Sequence, residues 1–373
     1  MKLSVMIPNY NYGRYIGETI QSVLGQAPPP RAGAAGPAGA AGASDREDDL
    51  EIVVADNAST DDSVARVRQL GDPRVRIEVN PCNLGFAPNL ERVAQMARGD
   101  WMLLLSSDDR MQPGALDAYH RLADALGERA HRAVWGCPTW VIDADGNRTG
   151  RRDPDPKLWR GAHDEPALSR AVGHPVRSLP AAEMLRRSLA LLRSPLPFAT
   201  TCYPRALHDA MGGYSGGRLV NPDKWFLWKL LAAAETIYVI DHPLFDYRVH
   251  DAGQGPQEQR SGALKYLVDQ YVSTFNLPDD LYARSGLDKA ALAAAFVEQD
   301  IALRGLLALA TGQRSHAQRA VHFGLATYPA LTRKNPKVWA LRILLALGPA
   351  GTQIARAARA RVETRWRSRE AGL

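Results

Sequence analysis

Cysteine is scarce in this chain of 373 residues, and Cys82, Cys137 and Cys202 are odd in number and far apart. That spacing indicates neither a disulfide framework nor a zinc site, and a reducing compartment fits it best. Long apolar runs are missing as well: even the stretch from Trp339 to Leu347 is broken by Arg342, short of a membrane span. The start, Met1-Lys2 followed by Leu3 to Ile7, is too short for a signal peptide and lacks its cleavage region. The expected location is therefore cytoplasmic, with peripheral attachment to the inner face of the cell membrane as its variant. Asp143-Ala144-Asp145-Gly146-Asn147 lacks the spacing and terminal Glu of an EF-hand, so it reads as a tight turn.

What is present is an ordinary globular composition, 45% apolar and 23% charged, enough for one large core or two smaller ones. The net charge of +6 admits anionic partners without choosing among them.

Trp101 to Leu105 is an apolar run too short for a typical helix, and it ends in Ser106-Ser107-Asp108-Asp109. A buried parallel strand delivers charge to its C-terminal edge in this way, and ligands gather at that edge. Earlier strands read the same. Leu3 to Ile7 runs into the turn formers Pro8-Asn9-Tyr10-Asn11-Tyr12-Gly13, and Leu50 to Ala55 runs into Asp56-Asn57-Ala58-Ser59-Thr60-Asp61-Asp62. Between them, Ile16, Ile20, Val23 and Leu24 mark a helix that Gly25 is placed to end. Residues 27–49, rich in Pro, Gly and Ala, read as a flexible insertion. Val75 to Val79 is a third strand, and Leu90, Val93, Ala94 and Ala97 mark a further helix. Leu116, Tyr119, Leu122 and Leu126 mark the helix that follows Asp109. Strand and helix alternate four times, so a mostly parallel sheet flanked by helices is the economical α/β fold.

Ala133 to Ile142 reads as one more strand, residues 148–196 as irregular with a helix near Met184 to Leu192, and Phe198 to Tyr203 as strand. Asp223 enters a Trp-rich helix, by default as a first-turn acid. From about Ser261 the chain is helical, with Leu303, Leu306, Leu307 and Leu309 at helical spacing. Its basic tail, with Trp339, Ile343, Leu344 and Trp366, suits an anionic membrane surface or a solvated packing helix; no nucleic-acid module accompanies it.

Four segments in order resemble the inverting family-two glycosyltransferases of the GT-A fold: residues 4–11, residues 51–61, Leu105 to Asp109, and Asp223 with its helix. The resemblance covers residues 1–250, implying a GT-A catalytic domain there and a helical C-terminal extension over 251–373. It implies that Pro8, Asn9 and Asn11 line a nucleotide pocket and that Asp56 accepts a hydrogen bond from the base. Asp108 would be the metal-binding acid of a D-x-D motif, with Asp109 beside it, for Mn²⁺ or Mg²⁺; Ser106 replaces the motif's first acid. Arg248 and His250 resemble a loop that closes over the diphosphate, and Asp223 matches the catalytic base. The implied reaction moves a sugar from a nucleoside-diphosphate donor to a hydroxyl of a glycan or lipid-linked saccharide. A catalytically silent protein of the same fold is the alternative that Ser106 keeps open. A nucleotidyltransferase is disfavoured because Pro8-Asn9-Tyr10-Asn11 is no Gly-rich phosphate loop.

Overall fold

The computed structural model describes residues 1–26, 50–214, 222–250 and 263–370. The insertion expected at 27–49, Asn221 and the Gly-rich loop after His250 lie outside the described residues. The chain divides into two compact units: residues 1–188 with 194–250, and the helices from Ala263 onward with residues 189–193.

The first unit opens with β1 (Leu3–Asn9), α1 (Gly13–Leu24), β2 (Leu50–Asp56), α2 (Ser63–Gln69), β3 (Val75–Val79), α3 (Phe86–Met96) and β4 (Trp101–Leu104). All four strands are parallel, in the order β3-β2-β1-β4. β1 and β4 are apolar and buried throughout their middles because neighbours cover both faces. β3, at the edge, alternates Val and Ile with Arg76 and Glu78, charges that discourage further strand pairing. Ile16, Ile20 and Val23 on α1 and Leu90, Val93 and Ala94 on α3 are buried as their spacing requires.

Beyond β4 the chain continues through β5 (Arg110–Met111), α4 (Ala115–Leu126), β6 (Ala133–Gly136), β7 (Thr139–Ile142), β8 (Arg148–Arg152) and β9 (His163–Asp164). Then follow α5 (Pro166–Val172), β10 (Val176–Pro180), α6 (Ala181–Leu191), β11 (Cys202–Pro204), α7 (Arg205–Ala210), α8 (Pro222–Ala233), β12 (Thr236–Ile240) and β13 (Phe245–Arg248). The large sheet has nine strands in the order β3-β2-β1-β4-β11-β6-β12-β10-β9. Its second half is mixed, not parallel: β11 runs antiparallel to both β4 and β6, and β10 antiparallel to β12 and β9.

Two further expectations change. The single strand expected over Ala133 to Ile142 is two strands in two sheets, broken at Cys137-Pro138, where proline has no N–H to continue a ladder. Residues 148–196 hold three strands and two helices; their elements are too short to show a period.

The small sheet decides the site. Its order is β5-β13-β7-β8, and β13 pairs antiparallel with β5 through Phe245↔Met111 and Asp246↔Arg110. The segment leaving Asp109 is thereby tied to the one ending at Arg248.

The second unit is helical, with Leu292, Phe296, Ile301, Leu309, Val338 and Leu341 in its core. A π-helical turn at Val297–Leu303 shifts the face presented by the residues after it. Leu309 is buried while Leu307, which the uninterrupted spacing placed beside it, is half exposed.

Candidate active site

The register of β1 on β2 sets Asn9 opposite Asp56 at their C-terminal ends. Asn9 Nδ2 donates to Asp56 Oδ1 at 2.7 Å, and the Ser59 hydroxyl donates to the same oxygen at 2.6 Å. The Ser59 amide donates to Asp56 Oδ2 at 2.9 Å. Ala58 takes φ +60 to turn Ser59 back onto Asp56, a left-handed conformation that costs a residue with a Cβ about 1–2 kcal/mol. Asp56 is fully buried, and Asn9 Oδ1 is a buried acceptor without a partner among the described residues. Pro8 sits one residue before Asn9, beyond the last β1–β4 pair at Met6↔Leu104, where its missing N–H breaks no bond to β4.

Asn11 joins the two loops. It adopts φ +59, takes the Ser59 hydroxyl as acceptor for its own N–H at 2.9 Å, and accepts the Thr60 amide at Oδ1 at 2.8 Å. Gly13 follows, its amide donating to Asp61 at 2.7 Å. A Cβ there would lie 2.1 Å from Asp62 Oδ1 and 2.9 Å from Asp61 Oδ2, so glycine lets α1 start beside the second loop without displacing those carboxylates. A chain of asparagines supports the other side. Asn80 donates to Asn57 and Asn89, and Asn89 donates to the Ala55 carbonyl, fastening the loop after β3 beside Asp56.

On the other flank of β1, β4 ends just before Ser106. Asp108 Oδ2 lies 3.0 Å from His250 Nε2, and the imidazole packs against the rings of Tyr15, centroids 4.9 Å away, and Tyr12, 5.8 Å away, which also touch each other. The carboxylate oxygen is a ligand that suits Mn²⁺ or Mg²⁺, and the imidazole nitrogen beside it is a further donor for a first-row metal. Two donors at right angles about an ion, each about 2.1 Å from it, stand about 3.0 Å apart, so the pair fits a metal without a change of fold. No group of three or more His, Cys, Asp or Glu side chains is gathered for a metal among the described residues. The remaining ligands would be water and substrate oxygens.

The structure places Asp109 and Arg248 differently from the sequence expectation. Asp109 turns inward, 2% exposed, and accepts the Arg248 backbone N–H at 2.8 Å. Burial, reinforced by the neighbouring Asp108 charge, holds its carboxyl well above the usual carboxylate range. Its carboxyl is turned away from the Asp108–His250 pair by the tight turn after β4, which the Asp109 amide closes on the Ser106 carbonyl at 3.1 Å. The Arg248 guanidinium is likewise taken up by protein groups. It donates to the Asp108 carbonyl at 2.7 Å, to the Glu18 carboxylate at 2.7 Å, and to the Asp143 and Ala144 carbonyls, and it lies 4.7 Å over the Tyr15 ring. The side chain is 2% exposed, a clamp beneath Asp108 and not a group open to a diphosphate. Glu18 also binds Arg110 at 2.6 Å, and Arg110 binds Asp246 at 2.7 Å, which closes a charged lattice over β5 and β13.

Asp223 lies in the first turn of α8. Its Oδ1 is buried and has no partner among the described residues. The helix is anchored behind it: Phe226 stacks on Tyr214 at 4.3 Å, with Tyr203 and Phe198 at 5.2 and 5.6 Å. Lys229, also buried, donates to the Gly213 carbonyl at 3.0 Å, and Trp228 Nε1 donates to Ser188 at 2.9 Å. A rigid helix thus presents an unspent carboxylate oxygen.

Sequence reasoning missed Glu18, Ser59 and the asparagine chain. Glu18 looked like one more polar residue on the outer face of α1. The asparagines carried a usable signal, since four fall between positions 57 and 89, each with both a donor and an acceptor to spend.

A nine-stranded α/β sheet with acids and amides on the C-terminal ends of adjacent parallel strands defines a nucleotide-binding class of fold. The family model for glycosyl transferase family 2 matches residues 4–191, and the chain belongs to that family. It is a glycosyltransferase with the GT-A fold. It is 24% identical over 294 residues to an uncharacterized glycosyltransferase of Nostoc sp., covering 74% of this chain and 76% of that protein. It is 37% identical over 78 residues to the succinoglycan biosynthesis protein ExoO of Rhizobium meliloti, covering 21% of this chain and 22% of ExoO. Residues 1–349 of S. aureus TarS, solved in complex with UDP-GlcNAc, superpose with a TM-score of 0.58 at 16% identity, covering 95% of this chain and 89% of that one.

Proposed function

We propose that this glycosyltransferase inverts the anomeric centre as it moves a sugar from a nucleoside-diphosphate donor to a hydroxyl of a glycan or lipid-linked saccharide. The observation that carries the reading is the buried Oδ1 of Asp223, which has no partner among the described residues. A carboxylate oxygen held on a rigid helix without a hydrogen-bond donor is available as a general base. It takes the proton of the acceptor hydroxyl as that oxygen attacks C1 from the face opposite the leaving diphosphate. The C1–O bond to the diphosphate breaks as the new glycosidic bond forms, so the configuration inverts.

The donor's base lies against Pro8, Asn9 and Asn11, with Asn9 Oδ1 and Asp56 Oδ2 as acceptors for its ring N–H. Asp108 and His250 hold Mn²⁺ or Mg²⁺, which when bound stabilises the charge developing on the leaving diphosphate. Asp109 and Arg248 position that pair without touching the donor. The acceptor class agrees with the ExoO relative, whose name places it in the synthesis of a polysaccharide.

Calorimetric titration with UDP-, dTDP- and GDP-sugars, with Mn²⁺ and with a chelator, tests the donor site; UDP-GlcNAc heads the panel because TarS is solved with it. Asp223→Asn should retain donor affinity and lose transfer by about a thousandfold, within the usual range for removal of one general base. Asp108→Ala should weaken metal-dependent donor binding as well. Asp223→Asn at parental activity would remove the base assignment, and failure of every donor by the folded protein would favour a catalytically silent relative.

A further inference from the structure

The helix Pro336–Ala346 buries Val338, Leu341 and Leu345 as its inner face. Opposite that face stand Trp339, 59% exposed, Ile343, 53%, and Leu347, 50%, so the helix is apolar on both sides. A helix with apolar residues on two faces ordinarily has both covered, and within its own unit this one does not. Charge shows what kind of partner suits it. Between Asp300 and Glu363 the chain has no Asp or Glu. Residues 301–373 hold thirteen Lys and Arg against two Glu, a net of +11, whereas the first 300 residues hold 33 against 38, a net of −5. Arg333, Lys334, Arg342, Arg356 and Arg361 are all exposed.

We infer that this face docks on an anionic lipid surface, with Trp339, Ile343 and Leu347 inserted at the headgroup level and the arginines on lipid phosphates and carboxylates. Interfacial binding draws on both components, buried apolar area and attraction to anionic headgroups, and the two are adjacent here. A second copy of the chain is the poorer occupant, since a two-fold contact would press like charge on like. Nucleic acid would use the arginines but leaves a Trp-Ile-Leu face without a purpose. Among the described residues no helix is long and apolar enough to cross a membrane, so the attachment is to one leaflet.

The test is co-sedimentation of the full chain with vesicles of phosphatidylcholine alone and of phosphatidylcholine with phosphatidylglycerol, a readout independent of sugar transfer. The full chain should bind the anionic vesicles and not the neutral ones, and added salt should release it. Trp339→Ala combined with Ile343→Ser should lower the partition coefficient by about tenfold through lost apolar contact. Arg356→Gln combined with Arg361→Gln should lower it by about tenfold on anionic vesicles through lost attraction. Unchanged circular dichroism and unfolding midpoint show that each variant is folded. Equal binding to neutral and anionic vesicles, or parental binding by the folded apolar variant, overturns the proposal. So does a dimer in sedimentation that Ile343→Ser dissociates, which would make the face a contact between copies.

Discussion

Arg248 illustrates how a residue can carry a familiar sequence context and a different physical role. Its guanidinium meets Glu18, two carbonyls of the turn after β7 and the carbonyl of Asp108, and it is nearly inaccessible to water. Replacing it by methionine leaves those acceptors buried and unpaired, so Arg248→Met should lower the unfolding free energy by about 3 kcal/mol. Urea denaturation measures this. Metal-dependent donor binding should fall with it, because Asp108 and His250 lose the group that holds their loops together. Full stability with weakened donor binding would instead return Arg248 to the diphosphate. Asp109 belongs to the same clamp: desolvated and next to Asp108, it serves the Arg248 backbone and leaves Asp108 as the acid toward the opening.

Among the elements, α8 shows how packing fixes the place of a first-turn acid. The aromatic layer of Phe198, Tyr203, His208, Tyr214 and Phe226 beneath it fixes where its first turn lies. His208 within that layer is buried, and burial pushes its imidazole below the ordinary range, with Arg205 and Lys229 adding to the effect against Glu91 and Asp209. The unfolded chain therefore takes up a proton below about pH 6.5 that the folded chain resists. The unfolded state then binds more protons, so stability is fully present above that range and falls as pH drops through it. His208→Phe should flatten this slope, comparing urea midpoints from about pH 7.5 to 5.5. Equal slopes in the two proteins would show that His208 titrates freely. Much of the element list was legible beforehand. Leu90, Val93 and Ala94 on α3 and Leu116, Tyr119, Leu122 and Leu126 on α4 are buried on the faces that helical spacing assigned. The strands of residues 148–180 were not, since two-to-five-residue strands, two of them exposed throughout, leave no period to read.

At the scale of the whole molecule, residues 27–49 enter between α1 and β2, and sequence composition alone assigns them a passive role. Replacing them by a short Gly-Ser connection should keep turnover within about twofold, because loop length adds little closure free energy. A collapse in rate with the fold intact would show that the insertion takes part in catalysis. The same scale contains the sheet arrangement. The first four parallel strands follow from alternation of strand and helix, a rule of short right-handed crossovers that any chain with this pattern obeys. The mixed second half follows from no local rule, since each antiparallel return is chosen by which edge is free when the chain arrives.

The amino-acid sequence by itself determined the α/β class, the acids and amides at the ends of β1, β2 and β4, and the acid opening α8. Those features are local, set by runs of apolar residues and the turn formers that stop them. Only the tertiary structure decided which of these groups face the opening. Whether Asp108 or Asp109 is the outward acid, whether Arg248 is free or clamped, and whether His250 reaches Asp108 all depend on β13 pairing with β5, 136 positions apart at Asp246↔Arg110, a span that only long-range packing can close.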